Sequence, residues 1–312
     1  GCYLRNSCKS PCSLNQKMEE LNLNLKPLIK RLEVYTKKGL VGVLTGSYKS
    51  TFKGKGLDFE GYRTYDVNDD SNMIDWKASL RSQEILVKIL TEERDVNILF
   101  FVDVSSSMSF ASIDKLKNEY AAELVASMAF AATSAGDSVG LAMFSDGIVK
   151  FLPPNMGSKQ YFTITKALSD PKLYDGKVDF IKSITQITSS LKRGTVLVIV
   201  SDFIGFQGEW KNYLESISKK FEVIGILVRD PRDYEMPEGV GQIVVSDPYS
   251  DKELIIDTDQ IKERYEEEAK NQVKEIKRIF IESKSDFLEL RTDKPFLYDL
   301  VNFFLRRKKK AR

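Results

Sequence analysis

Two apolar segments of the chain end in an acidic residue beside serines. The segment ILFFVDVSSSMSF runs into Asp103 and then has serines at four of the next six positions, among them Ser105 and Ser107. The segment GTVLVIVSDF ends with Ser201 and Asp202 before its last residue. Carboxylates and hydroxyls are hard oxygen ligands, which suit Mg²⁺ or Mn²⁺ with water in the remaining positions. The residue types therefore predict a divalent metal site.

These side chains form one site only if the two segments are neighbouring strands. In an open α/β sheet, ligands bind at the carboxyl ends of the strands, near a change in strand order. Asp103 and Asp202 would then share one crevice. A second interpretation stays open, in which the two carboxylates cap nearby helices or pair with buried basic groups and need no metal.

The composition excludes several kinds of active site. The 312 residues include no histidine, which excludes Ser-His-Asp and Cys-His catalysis and HExxH zinc sites. The cysteines Cys2, Cys8 and Cys12 match no zinc pattern, and no fourth cysteine is available. No GxxxxGK[ST] sequence is present, so the chain is not itself a P-loop ATPase.

The net charge of +2 gives no global electrostatic case for binding nucleic acid or membranes. The basic run RRKKKAR, residues 306–312, is either a polybasic contact with RNA or anionic lipid or a solvated helix end, and we favour the second. No apolar run is long enough to span a bilayer. We expect a cytoplasmic protein, membrane-associated if an anchor precedes Gly1.

The elements that would position the acids and serines alternate regularly after residue 95. Such alternation is typical of an α/β fold with a doubly wound, mainly parallel sheet and helices on both faces. Strands are predicted at 97–104, 138–144, 147–153, 194–203, 222–230, 242–247, 253–258 and 286–293, and helices at 114–134, 158–169, 179–191, 208–220, 259–284 and 296–308.

The N-terminal third has a different pattern. Residues 1–16 are an unassigned leader, and apolar residues at helical spacing predict a helix from Lys17 to Lys38. Glycines divide residues 40–95 into short pieces, which indicates strands and turns rather than helix. We therefore expect residues 17–95 to dock as a separate segment on a domain formed by residues 96–312.

A set of linked motifs resembles one prokaryotic family. Asp103-x-Ser105-x-Ser107, with Asp202 after a later strand, is similar to the metal-ion-dependent adhesion site of von Willebrand factor A domains. The region 46–82 resembles the domain of unknown function fifty-eight, a von Willebrand factor A-like group associated with MoxR ATPases. The matching motifs are Gly54-x-Gly56, Asp58-Phe59, Arg63-x-Tyr65, Asp69-Asp70, Ile74-Asp75-Trp76, Arg81, Val87-Lys88, Val228-Arg229-Asp230-Pro231-Arg232 and Ser246-Asp247-Pro248.

The resemblance implies a metal bound by the two acids and two serines named above. In the family, a third hydroxyl comes from a threonine in a Gly-Gly-Thr-Asp-like loop. The matching piece here is Gly176-Lys177-Val178-Asp179, so Val178 stands where the threonine would be and supplies no oxygen. Lys177 could place an ammonium where the cation would lie.

The residues of the 46–82 signature have two interpretations. We expect a structural role, in which they form a buried ionic lattice and Trp76 with Ile74 anchors the segment, rather than a second active site. The residues concerned are Arg63, Tyr65, Asp69, Asp70, Asp75, Trp76 and Arg81.

By this resemblance, the chain is a non-enzymatic, metal-dependent, chaperone-like adaptor. It would act with a MoxR-type AAA+ ATPase in the assembly or activation of other proteins, and an acidic side chain of the partner would complete the metal sphere. The alternative is a Mg²⁺-dependent phosphohydrolase or nuclease that uses the same carboxylates. Phosphatases with an aspartyl nucleophile, however, need a second acid where this chain has Ser105.

Overall fold

The computed structural model describes residues 3–5, 58–66, 69–91, 96–247, 249–250 and 253–310. The predicted helix from Lys17 to Lys38 and the three cysteines lie outside these ranges. Residues 96–312 belong to one compact unit and residues 50–95 to a second, which we call the extension.

Strands and helices are numbered separately in chain order. The strands are β1 (Tyr3–Arg5), β2 (Asp58–Thr64), β3 (Leu86–Thr91), β4 (Asn97–Asp103), β5 (Ser138–Phe144), β6 (Ile148–Asn155), β7 (Val196–Ser201), β8 (Glu222–Arg229), β9 (Gln242–Ser246), β10 (Glu253–Asp257) and β11 (Asp286–Arg291). The helices are α1 (Trp76–Ser82), α2 (Lys117–Ser134), α3 (Ser158–Leu168), α4 (Phe180–Thr188), α5 (Trp210–Ser218), α6 (Thr258–Glu282) and α7 (Phe296–Lys310).

A six-stranded sheet forms the centre of the larger unit, in the order β11-β8-β7-β4-β5-β6. Its strands are parallel except β6, which returns antiparallel to β5. The expected α/β architecture with a mainly parallel sheet is confirmed. The predicted elements of this unit are present, with ends that differ by a few residues.

Helices cover both faces of this sheet because its strands are apolar on both sides. In β4, Phe100 and Val102 face a cluster that includes α2, α3 and α7, whereas Leu99 and Phe101 face a cluster with α4, α5 and α6. All four side chains are buried. The sheet is therefore enclosed between two hydrophobic layers, and its strand ends are fixed.

The strand order changes direction at β4. From β4 the chain passes to β5 and β6 on one side, and then returns to β7 on the other side of β4. Val102 of β4 lies opposite Val200 of β7, so Asp103 and Ser201 follow at the same edge of the sheet. This is the position where ligands bind in open α/β sheets.

A smaller antiparallel sheet has the order β1-β9-β10. The strands predicted at 242–247 and 253–258 are both present, and they pair antiparallel, with Leu254 opposite Val245. The turn between β9 and β10 carries Tyr249.

The extension contains β2 and β3, which pair antiparallel, and the short helix α1. The expectation of strands and turns without helix was wrong for α1. Asp75 begins this helix, because its Oδ1 accepts hydrogen bonds from the backbone nitrogens of Lys77 and Ala78 at 3.0 and 3.2 Å. A good N-cap therefore outweighed the local turn signals.

The ionic residues of the extension form pairs, but the prediction that these pairs are buried was wrong. Arg63 forms a two-pronged pair with Asp69 at 2.5 Å, and the Arg63 side chain is 48% exposed. Asp75 accepts a hydrogen bond from the Tyr62 hydroxyl and forms an ion pair with Lys88.

The other expected members of the lattice also depart from the prediction. Trp76, expected as an apolar anchor, is 64% exposed, and Arg81 is exposed as well. Asp70 is exposed and caps the turn Ser71–Met73. Tyr65 is partly buried, and its backbone nitrogen donates to Ile85.

Candidate functional site

The carboxylate of Asp103 is fixed at the end of β4. It is buried, and its Oδ1 accepts from the backbone nitrogen of Ser105 at 2.9 Å. Its Oδ2 accepts from the hydroxyl of Ser201, the last residue of β7, at 2.6 Å. The ends of the two neighbouring strands are therefore joined by side chains.

The predicted serines complete a chain of oxygen atoms between the two acids. After β4 the backbone turns at Ser106–Ser109, which brings the hydroxyl oxygens of Ser105 and Ser107 to 3.2 Å from each other. The Ser107 hydroxyl donates to Oδ1 of Asp202 at 3.2 Å. The structure thus brings together four predicted residues, Asp103, Ser105, Ser107 and Asp202, which we call the acid–serine site.

The second acid of the site is also part of a buried ion pair that the sequence analysis did not identify. Lys117, the first residue of α2, is 1% exposed, and its Nζ lies 2.7 Å from Oδ2 of Asp202. The same ammonium lies 3.2 Å from Asp233. The buried basic partner that the second interpretation expected is therefore present at Asp202.

The two acids have opposite pKa shifts. Burial, together with the charge of Asp202, raises the pKa of Asp103 to about 7. Burial also acts to raise the pKa of Asp202, but the charges of Lys117 and Arg229 outweigh it and lower that pKa. Burial acts to lower the pKa of Lys117, whereas Asp202 and Asp233 raise it above its ordinary value. Asp202 and Lys117 are thus both charged at neutral pH.

A second layer of side chains holds the lysine and the loop after β4. Asp233 accepts from the backbone nitrogen of Asp230 at 2.9 Å in addition to binding Lys117. Asp230 is buried and accepts from the backbone nitrogen and hydroxyl of Ser112 at 2.8 and 2.5 Å. The VRDPR motif, to which the sequence alone gave no role, therefore contributes Asp230, whose hydrogen bonds hold the loop after β4 in place.

The loop of residues 176–179, which matches the threonine loop of the family, lies beside the serines. The carbonyl of Gly176 accepts from the backbone nitrogen of Ser106 at 2.9 Å. Val178 packs against the hydrophobic cluster that includes α4, α5 and α6. Asp179 caps α4, because its carboxylate accepts a hydrogen bond from the backbone nitrogen of Lys182. In this position Val178 offers no oxygen and Asp179 is already bonded.

The ammonium at the site belongs to Lys117 and not to Lys177. Lys177 is exposed, which contradicts the suggestion that it could take the place of a cation. The pKa of Asp247, outside the acid–serine site, is lowered by hydrogen bonds from the Ser250 hydroxyl and the Tyr249 backbone nitrogen, and the charge of Lys177 lowers it slightly further.

Tyr249 lies over the serines, and local sequence pattern gave no signal for this contact. Its hydroxyl is 3.4 Å from Oγ of Ser105 and donates to the carbonyl of Ile204 at 3.1 Å. Gly205 makes room for the ring, because a Cβ on that residue would lie 2.8 Å from Tyr249 Cε2. The acid–serine site is therefore covered by a residue of the β9–β10 turn.

The donor set agrees in chemical type with a hard divalent cation. Two carboxylates and two hydroxyls meet without sulfur or nitrogen ligands, which suits Mg²⁺ or Mn²⁺. The lysine binds Oδ2 of Asp202, whereas Oδ1 accepts from the Ser107 hydroxyl and from the backbone nitrogen of Ile204 at 2.9 Å. Among the described residues, no cluster of three or more acidic, histidine or cysteine side chains suitable for a metal occurs. Hydroxyls would therefore have to supply part of the coordination.

Comparison with known protein families shows which family the chain belongs to. Residues 61–275 match the family described as "Protein of unknown function DUF58". The chain belongs to this family. The match begins within the extension and includes the acid–serine site, Lys117 and Tyr249.

The relatives of this DUF58 protein include bacterial proteins. It is 27% identical over 291 residues to "Uncharacterized protein Rv1480" of Mycobacterium tuberculosis, with 92% of this chain and 91% of the relative covered. It is 30% identical over 135 residues to "Uncharacterized protein MAV169" of Mycobacterium avium, with 43% and 78% covered.

Among solved structures, BatB from Bacteroides thetaiotaomicron has a TM-score of 0.44 and 15% identity, covering 69% of this chain and 99% of its own. An aerotolerance-related membrane protein from Bacteroides fragilis also has a TM-score of 0.44, with 14% identity and coverage of 69% and 99%. In the part of this DUF58 chain that the structure describes, no helix has the length and hydropathy needed to cross a membrane.

Proposed function

We propose that this DUF58 protein is a non-enzymatic protein-binding adaptor of the von Willebrand factor A type. The observation that supports this most is the meeting of two acids and two serine hydroxyls at the strand-order change between β4 and β7. Such a site can present a cation to a carboxylate of another protein. It needs neither a nucleophile nor a general base for that role.

Asp103, Ser105, Ser107 and Asp202 would hold Mg²⁺ or Mn²⁺. The ion, when bound, supplies a positively charged attachment point for an acidic side chain of the partner. Lys117 keeps Asp202 ionised and oriented, because its ammonium holds one oxygen while the other faces Ser107. Val178 contributes no ligand, so the partner's carboxylate would account for a larger share of the coordination.

Access to the site requires movement of Tyr249. Ser105 and Ser107 are at most 1% exposed, and the tyrosine hydroxyl already contacts Ser105. A carboxylate that approaches the serines must therefore displace the phenol ring. We infer that the partner acts on the β9–β10 turn as well as on the site itself.

The proposed partner is a MoxR-type AAA+ ATPase. This choice rests on the family resemblance of the sequence motifs. The adaptor would act with that ATPase in assembling or activating other proteins.

The proposal is tested by capture of the cognate ATPase on immobilised wild-type protein, with Mg²⁺ or with EDTA. Capture should depend on the cation and should be lost in Asp103→Ala and Ser107→Ala. Ser106→Ala is the matched control, because this neighbouring hydroxyl binds Asp175 and is outside the acid–serine site. Melting curves establish that each variant is folded.

Equal capture by wild type and Asp103→Ala, with and without EDTA, would refute the adaptor proposal. Assays with phosphate monoesters, phosphodiesters and nucleic acids distinguish the alternative function. Cation-dependent hydrolysis that is lost in Asp103→Ala would favour a phosphohydrolase or nuclease instead.

A further inference from the structure

Basic side chains collect at the end of the large sheet opposite the acid–serine site. The segment before β7 contains Lys192 and Arg193, the segment before β8 contains Lys220, and the segment before β11 contains Lys284. Because β7, β8 and β11 are parallel, these segments meet at the same edge. All four side chains are exposed.

Specific contacts hold these segments together. The backbone nitrogen of Gly194 donates to the carbonyl of Lys220 at 3.1 Å, which joins the first two segments. Arg307 of α7 pairs with Glu222 at the start of β8 and with Asp286 at the start of β11, the latter at 2.8 Å. The end of α7, including the exposed Arg306, is therefore fixed at the same edge.

Three acidic side chains beside these residues take part in ion pairs, and two of them share one guanidinium. Glu222 and Asp286 bind Arg307, and Glu215 binds Lys219. Within the described residues, five further cations at this end form no ion pair. They are Lys192, Arg193, Lys220, Lys284 and Arg306, which we call the basic pole. Since the whole chain has a net charge of +2, the remainder of the molecule is net negative.

Two exposed aliphatic side chains lie next to the basic pole. Ile281 is 60% exposed, and its carbonyl accepts from the backbone nitrogen of Lys284 at 3.0 Å. Leu305 is 43% exposed and directly precedes Arg306. Cationic groups interspersed with aliphatic ones are typical of surfaces that bind at the interface of an anionic bilayer.

We propose that the basic pole binds the surface of membranes that contain anionic lipids. The aliphatic neighbours favour this partner over single-stranded nucleic acid, which proteins bind with aromatic rings that stack on the bases. The basic run at the C-terminus gave a weak case when taken alone. The structure strengthens it, because three sequence-distant segments supply cations at the same end. This inference is independent of the proposed adaptor role.

The test is co-sedimentation of the full chain with vesicles of phosphatidylcholine containing phosphatidylserine, compared with pure phosphatidylcholine. The pole variant combines Lys192→Gln, Arg193→Gln, Lys220→Gln and Lys284→Gln. Each basic residue near an anionic bilayer strengthens binding roughly fivefold, so this variant should bind at least ~100-fold more weakly.

A matched variant controls for net charge. It combines Lys150→Gln, Lys166→Gln, Lys172→Gln and Lys182→Gln, four exposed lysines away from the basic pole. Both variants lose four charges, so only the location of the loss differs. The matched variant should bind phosphatidylserine vesicles nearly as well as wild type, and melting curves establish that both variants are folded.

Three results would overturn the proposal. The first is wild-type protein that fails to sediment with phosphatidylserine vesicles at low salt. The second is equal binding by the pole variant and the matched variant. The third is pole-dependent binding of an oligonucleotide without binding of the vesicles, which would assign the basic pole to nucleic acid.

Discussion

Carboxylates are held in two contrasting ways in this protein. Asp202 is fully buried and bonds to Lys117, which is buried as well. In the extension, Asp69 bonds to Arg63, whose side chain is 48% exposed. The contacts have similar lengths, but water can replace Arg63 and cannot easily replace Lys117. Burial therefore decides which ion pair the fold depends on.

The largest effect should come from breaking the buried pair. Lys117→Met leaves Asp202 charged and without its cation in the interior, which should lower the free energy of unfolding by about 3–5 kcal/mol. Urea denaturation measures this change. Lys211→Met is the control, because Lys211 pairs with Glu282 on the surface, where both side chains are 44% exposed.

A double variant sharpens the same experiment. Adding Asp202→Asn to Lys117→Met removes the unpaired charge and should restore part of the lost stability. If Lys117→Met costs no more than Lys211→Met, burial does not separate the two kinds of pair.

The second prediction concerns pH. Without metal, the pKa of Asp103 is raised to about 7, so between about pH 4 and 7 the folded protein holds a proton that the unfolded chain has lost. The free energy of unfolding should therefore fall as pH rises across this window, by up to ~1.4 kcal/mol per pH unit, and level off above it. Urea denaturation in EDTA at several pH values measures the slope.

Asp103→Asn tests the assignment of that slope. The amide cannot titrate, so the variant should lose this part of the pH dependence. A slope equal to that of wild type would mean that another group is responsible.

The third prediction concerns divalent cations. Mg²⁺ or Mn²⁺ at about 100 times its Kd should add about 2.7 kcal/mol of stability, a rise of several degrees in Tm relative to EDTA. Val178→Thr places a hydroxyl in the third loop and should enlarge the rise. Asp202→Ala should abolish it, and a rise that persists in Asp202→Ala would place the cation elsewhere.

The smallest effect is expected in the extension. Arg63→Gln should leave Tm close to that of wild type, because exposed ion pairs add little to stability. The pKa of Asp69 is lowered to about 2 by its bonds to Arg63 and Asp66, so this pair should weaken only as pH falls from about 4 towards 2. That direction is opposite to the one expected for Asp103. If Arg63→Gln lowered Tm as much as Lys117→Met does, burial would not determine which of the two ion pairs stabilises the fold.

The sequence was sufficient for the sheet and for the four residues of the acid–serine site. Apolar strands alternating with helices predict a mainly parallel sheet, and in such a sheet Asp103 and Asp202 follow neighbouring strands. The contacts that were missed depend on long-range packing. Lys117 stands three positions before Tyr120 and seven before Leu124, on the buried face of α2. A lysine at a helix start is usually solvated, so the spacing alone could not reveal its two acidic partners.

For a related reason, local sequence patterns could not predict the contact of Tyr249 with Ser105 or the clustering of the basic pole. The tyrosine meets Ser105 across 144 positions of sequence, and no periodicity connects the two. Likewise, Lys192, Lys220 and Lys284 are separated by whole elements and meet only because their strands share a direction. Helix α1 shows the reverse case, in which one capping residue, Asp75, outweighs its surroundings.

The shared direction of these strands also sets a stand-off distance. Strand β4 has seven residues, and at about 3.3 Å per residue it spans roughly 23 Å between its two ends. A molecule lying with its basic pole on a bilayer would hold the acid–serine site about one strand length away from the lipid. At that height the site lies beyond the ~8 Å Debye length of physiological salt. An approaching acidic partner would then experience little of the repulsion of the lipid charge.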